Sequence, residues 1–183
     1  MKIIDETVFI AMRDYLTIYL PKQRVFSQNT IKSYRTTLNM FIDYVCEHCN
    51  IKFAQFSFSC FSKENINDFL EYLRTVRKSS FSTQNQRLMA IRSFINYACT
   101  NDIIKYPIAL DVKKVPIRKT KSKPVEFISE EALKILFEQP DIKNRIELRN
   151  LFFMIMMYDT GARCSELLNL RGCIKMNSHE TEK

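Results

Sequence analysis

The chain has 183 residues, of which 46% are hydrophobic and 26% charged, and it carries a formal net charge of +8. This composition is that of a soluble globular protein, and no apolar run approaches the ~20 residues that a transmembrane helix needs. The first residues include Asp5, Glu6 and Asp14, which do not fit a secretory signal peptide. We therefore predict a cytoplasmic protein with no membrane partner.

The first 110 residues are predicted to form four helices. Glycine is nearly missing, with two in the whole chain, so the usual hairpin turns have no sequence support. Apolar residues recur at three- and four-residue steps in four stripes, which is typical of amphipathic helices. The stripes begin at Val8, Ile31, Ile66 and Leu88. This region is large enough to bury a small core of its own.

Serine and proline residues predict the boundaries of these helices. Ser27, Ser62 and Ser82 stand where a side chain can cap the first backbone N–H groups of the second, third and fourth helices. Pro21 is expected to end the first helix, and Pro107 to follow the fourth.

The second helix is predicted to end in a C-x-x-C pair, Cys46 and Cys49, with His48 between them. A zinc site would need a second pair of ligands, and only Cys60 is near in sequence. Buried thiols otherwise behave as small apolar side chains, and the cytosol keeps them reduced. We expect no metal, with a metal at this pair as the alternative.

Positive charge is concentrated in two blocks. Residues 72–100 hold five basic residues and residues 113–124 hold six, and neither block contains an acid. Such asymmetry favours a polyanionic partner, whereas the alternative for one block alone is a solvated face or a charged linker. Pro116, Pro124 and the repelling bases predict an extended linker over residues 113–126. It would separate a domain at residues 1–112 from a second at residues 127–183.

The second domain is predicted to begin with two helices. Ser129 is placed to cap the first of them, and Glu130 and Glu131 suit its positive end. The other spans residues 144–159 and is rich in Met and Phe. Its segment 151–158, with the sequence LFFMIMMY, is expected to be only partly covered and to favour self-association or docking.

A tight corner follows at residues 159–170. Gly161 is suited to the left-handed conformation that closes a helix. Arg163 then opens a new helix, where free N–H groups favour an anion, and Glu166 lies one turn on to pair with it. Leu167 and Leu170 are expected to anchor this helix in the core. From the residues alone, the corner is either a phosphate-binding site or an ordinary Arg–Glu pair.

The corner resembles the tyrosine recombinases, also called phage-type integrases, whose signature is T-G-x-R-x-S-E-L-x-x-L. The sequence here runs continuously as TGARCSELLNL over residues 160–170. Segments 27–45 and 82–104 resemble the second and fourth helices of that family's core-binding domain, and the basic linker followed by FISEEALKIL resembles its domain junction. The resemblance implies an all-α protein: a SAM-like four-helix core-binding domain, a basic linker and the helical start of the catalytic domain.

By this resemblance the partner is double-stranded DNA, held in a C-shaped clamp with two helices of the first domain against the major groove. Polar and basic side chains off the apolar stripes are the types that contact phosphates and base edges. The candidate DNA-binding residues are Gln28, Thr30, Lys32, Arg35, Thr36, Asn39, Thr83, Gln84, Gln86, Arg87, Arg92, Lys119, Lys121 and Lys123. A solvated face is the alternative for each of them alone.

The resemblance also implies a reaction in which a tyrosine attacks a DNA phosphate and two transesterifications conserve the bond energy, so that no cofactor and no small-molecule substrate are needed. Arg163 corresponds to the arginine that binds the scissile phosphate, with Glu166 supporting it. The nucleophilic tyrosine, the H-x-x-R box and the hairpin lysine have no counterpart in this sequence. We therefore expect no strand cleavage by this chain alone.

Two functions follow. The first is DNA binding within a site-specific recombinase or integrase of a mobile element or phage, together with other recombinase protomers on DNA. The alternative is a protein-interaction or regulatory module that pairs with a full-length recombinase.

Overall fold

The computed structural model describes residues 7–120 and 126–170, and within these ranges it contains helices and no strand. The predicted all-α class is confirmed. The chain divides into two compact units between Ser122 and Lys123, called here the first and the second unit. Among the described helices, none is both long and apolar enough to cross a bilayer.

Over its described residues, the first unit contains five α-helices, one more than the sequence predicts. They are α1 (Thr7–Asp14), which continues as a π-helix (Tyr15–Gln23), α2 (Gln28–His48), α3 (Lys63–Thr75), α4 (Phe81–Thr100) and α5 (Tyr106–Lys113), with 3-10 turns at Phe53–Gln55 and Phe58–Cys60. The four apolar stripes face one shared core. At its centre Phe41 of α2 packs against Phe61 and Phe69, with ring centroids 5.0 and 5.4 Å apart, and all three rings are buried.

The predicted helix boundaries are partly right. The hydroxyls of Ser27 and Ser62 accept hydrogen bonds from the third residue of their helices, as expected. The cap of α4 is Ser80, which accepts from Thr83 N at 3.2 Å, so the assignment to Ser82 is wrong.

Both proline assignments also need correction. Pro21 lies inside the π-helix rather than ending the helix. Pro107 lies in the first turn of α5, where the missing N–H needs no partner and the fixed φ suits a helix. Because Pro107 was predicted only to follow a helix, α5 was not predicted.

Four helix ends of the first unit use a left-handed residue other than glycine. These residues are Val25, Asn50, Lys78 and Asp102, with φ between 50° and 55°. Asn and Asp tolerate this conformation because their short polar side chains bond locally, whereas a β-branched valine is strained in it. The chain thus makes tight turns with almost no glycine, at a cost in backbone strain that is largest at Val25.

The segment predicted as the start of a free linker packs on the first unit. Val115 is fully buried in the core, and the backbone of Arg118 is hydrogen-bonded to Asn85 of α4.

The second unit contains α6 (Glu130–Glu138), α7 (Arg145–Thr160) and α8 (Cys164–Leu168). Ser129 caps α6 as predicted, by accepting from Ala132 N. Among the described residues of this unit only Leu167 is buried. Leu170 is 64% exposed, so its predicted place in the core is wrong.

Candidate nucleic-acid interface

The amino-terminal halves of α2 and α4 lie side by side and enclose a surface groove of about 540 Å³. Its walls carry hydroxyl and amide side chains around one aromatic ring. We call it the α2–α4 groove, and it is lined by Asn29, Thr30, Ser33, Tyr34, Ser82, Asn85, Gln86, Met89 and Thr120. Hydroxyl and amide groups of this kind donate to phosphate oxygens and to base edges.

A second groove of about 430 Å³ shares Tyr34 and Met89 with the first one and extends it along α4. We call it the basic groove, since Arg24, Arg92 and Lys113 are among its lining residues. None of the described residues that line either groove is acidic. The two grooves therefore adjoin at Tyr34 and Met89 and are together called the channel, with basic residues at one end.

Of the sequence-predicted residues on α2, only Thr30 lines the channel, and the others are exposed outside its lining. Exposed members of the predicted set on α2, on α4 and at the end of the first unit are Gln28, Lys32, Arg35, Thr36, Asn39, Gln86 and Lys119. Thr30 lines the α2–α4 groove, although its hydroxyl also lies 2.9 Å from that of Ser27. Thr83 forms the matching pair with Ser80 at the start of α4.

Gln84 does not belong to the exposed surface. Its side chain is 1% exposed, and its Nε2 donates to the carbonyl of Ser79 at 2.9 Å. A buried amide in this position braces the turn before α4 and offers nothing to DNA, so the prediction of a DNA contact for Gln84 is wrong.

The two predicted arginines of α4 make contacts within the protein. Arg87 Nη1 donates to Thr37 Oγ1 at 2.7 Å and to the Ser33 carbonyl at 3.3 Å. Arg92 Nη2 donates to the carbonyls of Lys113, at 2.9 Å, and of Val115. Both arginines are half-buried, and burial lowers the pKa of Arg92 from its ordinary value. A basic residue without an acidic neighbour in sequence can contact either DNA or carbonyl groups of the protein itself, and the sequence does not distinguish the two. Lys121 and Lys123 lie outside the described residues.

The structure adds polar residues to the channel that the sequence did not single out, among them Arg24, Asn29, Ser33 and Asn85. Asn29 and Ser33 are four residues apart on α2, a spacing that places them on one helical face. That spacing was readable from the sequence. The sequence did not show that this face of α2 lies beside α4, and this arrangement forms the groove.

The corner in the second unit has the predicted geometry. Gly161 closes α7 with φ of 63°, and its N–H donates to the Met157 carbonyl at 3.0 Å. Arg163 precedes α8 and is 82% exposed. Its Nη1 donates to Glu166 Oε1 at 2.9 Å, and its backbone N–H donates to Glu166 Oε2 at 2.8 Å.

These contacts hold the two side chains together at the protein surface. The backbone N–H and the guanidinium of Arg163 lower the pKa of Glu166, in that order of effect. Glu166 therefore stays ionised and orients the guanidinium. Within the described residues, Nη2 of Arg163 makes no hydrogen bond, so the exposed guanidinium keeps donors for an external anion.

The cysteine pair at the end of α2 shows no metal-binding arrangement. Cys49 is exposed and its thiol lies 3.9 Å from the Asn65 side-chain oxygen, while Cys46 is half-buried. Over residues 7–120 and 126–170, no three His, Cys, Asp or Glu side chains group closely enough to hold a metal ion.

Residues 11–105, more than half of the chain, match the family described as "Phage integrase, N-terminal SAM-like domain". The chain is 28% identical to an integrase/recombinase, y4rD, of Sinorhizobium fredii over 85% of its own length and 55% of that protein. It is 30% identical to tyrosine recombinase XerC of Staphylococcus carnosus, over 84% of its length and 49% of that protein. It is 26% identical to tyrosine recombinase XerC of Leptospira interrogans, over 84% of the chain's own length and 47% of that protein.

The chain thus spans about half the length of the curated relatives it matches. No solved structure matches it.

Proposed function

The chain belongs to the phage integrase family with an N-terminal SAM-like domain, and from this premise we propose that its first unit binds double-stranded DNA along the channel between α2 and α4. The role in DNA recombination follows from the family. The DNA contacts, the residues that make them and the part taken by the second unit are the proposal.

The observation that carries the proposal is the channel without acidic lining residues, which has exposed bases in its own lining. Arg24 and Lys113 line the basic groove and are exposed, and Lys119 is exposed next to Thr120 of the α2–α4 groove. A negatively charged backbone is attracted to such a surface, and hydroxyl and amide groups between the bases supply uncharged donors. A solvated face would need neither a groove nor a lining without acidic residues.

Fluorescence anisotropy of the full chain with a labelled duplex, between 50 and 500 mM salt, tests this function. If about six phosphates are neutralised, the logarithm of the binding constant falls by about five per decade of salt. Arg24→Glu and Lys113→Glu should each weaken binding at least tenfold. Lys52→Glu changes the net charge equally, but it lies beyond the opposite end of α2 and should have a much smaller effect. Binding that is insensitive to salt, or equally weakened by all three changes, contradicts the proposal.

For the second unit we propose that Arg163 contacts a DNA backbone phosphate, oriented by Glu166. A guanidinium that donates to a carboxylate through one nitrogen and keeps others exposed suits this role. Arg163→Ala should therefore weaken duplex binding by the full chain, and unchanged binding would contradict this role.

A second candidate function is pairing with another recombinase chain. It is favoured by the apolar surface of α7, where Phe152, Ile155 and Tyr158 are 58%, 39% and 59% exposed. Exposed apolar clusters of this kind are typical of interaction sites. Co-purification with a full-length recombinase tests it, and a chain that stays monomeric and captures none contradicts it.

A further inference from the structure

Helix α4 contacts residues 113–118, which form the first part of the basic block at residues 113–124, called here the basic segment. The chain leaves α5 at Lys113, and Arg92 donates to the carbonyls of Lys113 and Val115. Val115, whose carbonyl is one of these two acceptors, is fully buried. Backbone carbonyls next to a buried residue need donors, and Arg92 supplies two of them from one guanidinium. The first residues after α5 are therefore fixed to α4.

Asn85, two turns nearer the start of α4, makes the next attachment. Its Nδ2 donates to the Arg118 carbonyl at 2.8 Å, and its Oδ1 accepts from the Arg118 N–H at 3.0 Å. One carboxamide thus satisfies both backbone groups of one residue. Only Asn or Gln can donate and accept in this way, and Asn has the shorter reach.

The side chain of Arg118 strengthens this attachment. Its guanidinium lies 5.5 Å from the ring centroid of Phe81, at the start of α4. Its Nη2 lies 3.5 Å from Glu71 Oε2 on α3, and Glu71 also pairs with Arg74. Arg118 is 31% exposed, so this basic residue of the second charge block is largely used inside the first unit.

We propose that Asn85 is a positioning residue: by binding the backbone of Arg118, it releases the basic segment at the mouth of the α2–α4 groove and so directs Lys119 toward DNA bound there. This inference rests on the proposed DNA-binding function. Thr120, two residues after the attachment, lines the groove together with Asn85 itself. Without the Asn85 hydrogen bonds, only the side chain of Arg118 still holds this part of the chain to α3 and α4, and the backbone that leads to Lys119 gains freedom.

Two measurements on the full chain test the proposal, with Asn85→Ala and Asn85→Asp as the variants. Asp keeps the shape and the acceptor but loses the donor to the Arg118 carbonyl. Asn96→Ala, on the same helix, is the control for the first measurement. Amide hydrogen exchange followed by NMR should show the Arg118 N–H protected at least tenfold more in the wild type than in Asn85→Ala, with Asn85→Asp in between and Asn96→Ala like the wild type. Amides in the middle of α4 should exchange equally in all four proteins.

The second measurement is the salt dependence of duplex binding. Release of the basic segment should lower the slope of log K against log salt by about one for each lysine that leaves its phosphate, which a loss of stability alone does not do. An unprotected Arg118 amide in the wild type, or unchanged exchange of this amide in Asn85→Ala, overturns the attachment by Asn85. An unchanged slope in Asn85→Ala overturns the positioning role. If neither the wild type nor Asn85→Ala binds DNA, the proposed function itself fails. The exchange experiment still decides whether Asn85 fixes the backbone of Arg118.

Discussion

Arg87 of α4 and Thr37 of α2 are joined by a hydrogen bond of 2.7 Å between the guanidinium Nη1 and the threonine Oγ1. Thr37 is buried, and its hydroxyl at the same time donates to the Ser33 carbonyl. The pair therefore fixes the two helices against each other directly behind the channel. At least one guanidinium nitrogen of Arg87 is therefore used for contacts between α4 and α2.

Replacement of Arg87 by alanine should lower the free energy of unfolding by about 1–2 kcal/mol, since a partly buried hydrogen bond from a charged donor is lost. Urea denaturation measures this. Thr37→Val, which removes the acceptor, should cost a similar amount, and the double variant should be less destabilised than the sum of the two. Strict additivity would show that the two side chains do not interact.

Val25 offers a test of backbone strain. A valine with φ of 51° is held in a conformation that costs about 1–2 kcal/mol for residues with a Cβ, and its side chain is 79% exposed, so little packing opposes its removal. Val25→Gly should raise the free energy of unfolding by about 0.5–1 kcal/mol, after the entropy that glycine loses on folding.

Val25→Ala is the control for this change, because it shortens the same exposed side chain and keeps the Cβ. It should leave the stability nearly unchanged. Equal effects of the two substitutions in thermal melting would attribute the gain to the loss of an exposed apolar group and not to relief of strain.

The sequence predicted the helices and the signature corner well because both depend on local patterns. The three-and-four-residue stripes, the caps at Ser27, Ser62 and Ser129, and the glycine that closes α7 are all set by residues within a few positions of one another. The errors arose where two local patterns compete. Ser80 and Ser82 are equally plausible caps, and Pro107 suits the start of a helix as well as its end.

The roles of the basic residues were less predictable for a different reason. Whether Arg92 meets DNA or a backbone carbonyl depends on α5 and on the segment after it, 21 and 23 residues further along the chain. Gln84 follows the same rule, because its burial depends on how the turn before α4 packs. Side-chain type limits the possible partners, but only tertiary packing selects among them.

The apolar surface of α7 should govern self-association. Phe152→Glu places a charge at a ring that is 58% exposed, where it costs little in the monomer but opposes burial against another surface. We expect the apparent mass in light scattering at high protein concentration to fall toward that of the monomer. Val76→Glu, at a position 63% exposed in the first unit, is the matched control and should leave the association unchanged. If both variants behave like the wild type, α7 is not the contact surface.

The pH dependence of the Arg163 corner follows from Glu166. Its pKa is lowered in the folded chain because the charged carboxylate accepts from the backbone and the guanidinium of Arg163. A depressed folded-state pKa means that the stabilisation is fully present above the unfolded-state pKa and is lost as the pH falls through the folded-state value. NMR titration of the Glu166 carboxyl carbon should therefore give a midpoint below the ordinary glutamate value. In Arg163→Ala, which removes the guanidinium but keeps the backbone N–H, the midpoint should move only part of the way back. A wild-type midpoint at the ordinary value would mean that the corner is open in solution, and the oriented guanidinium proposed for phosphate contact would then be absent.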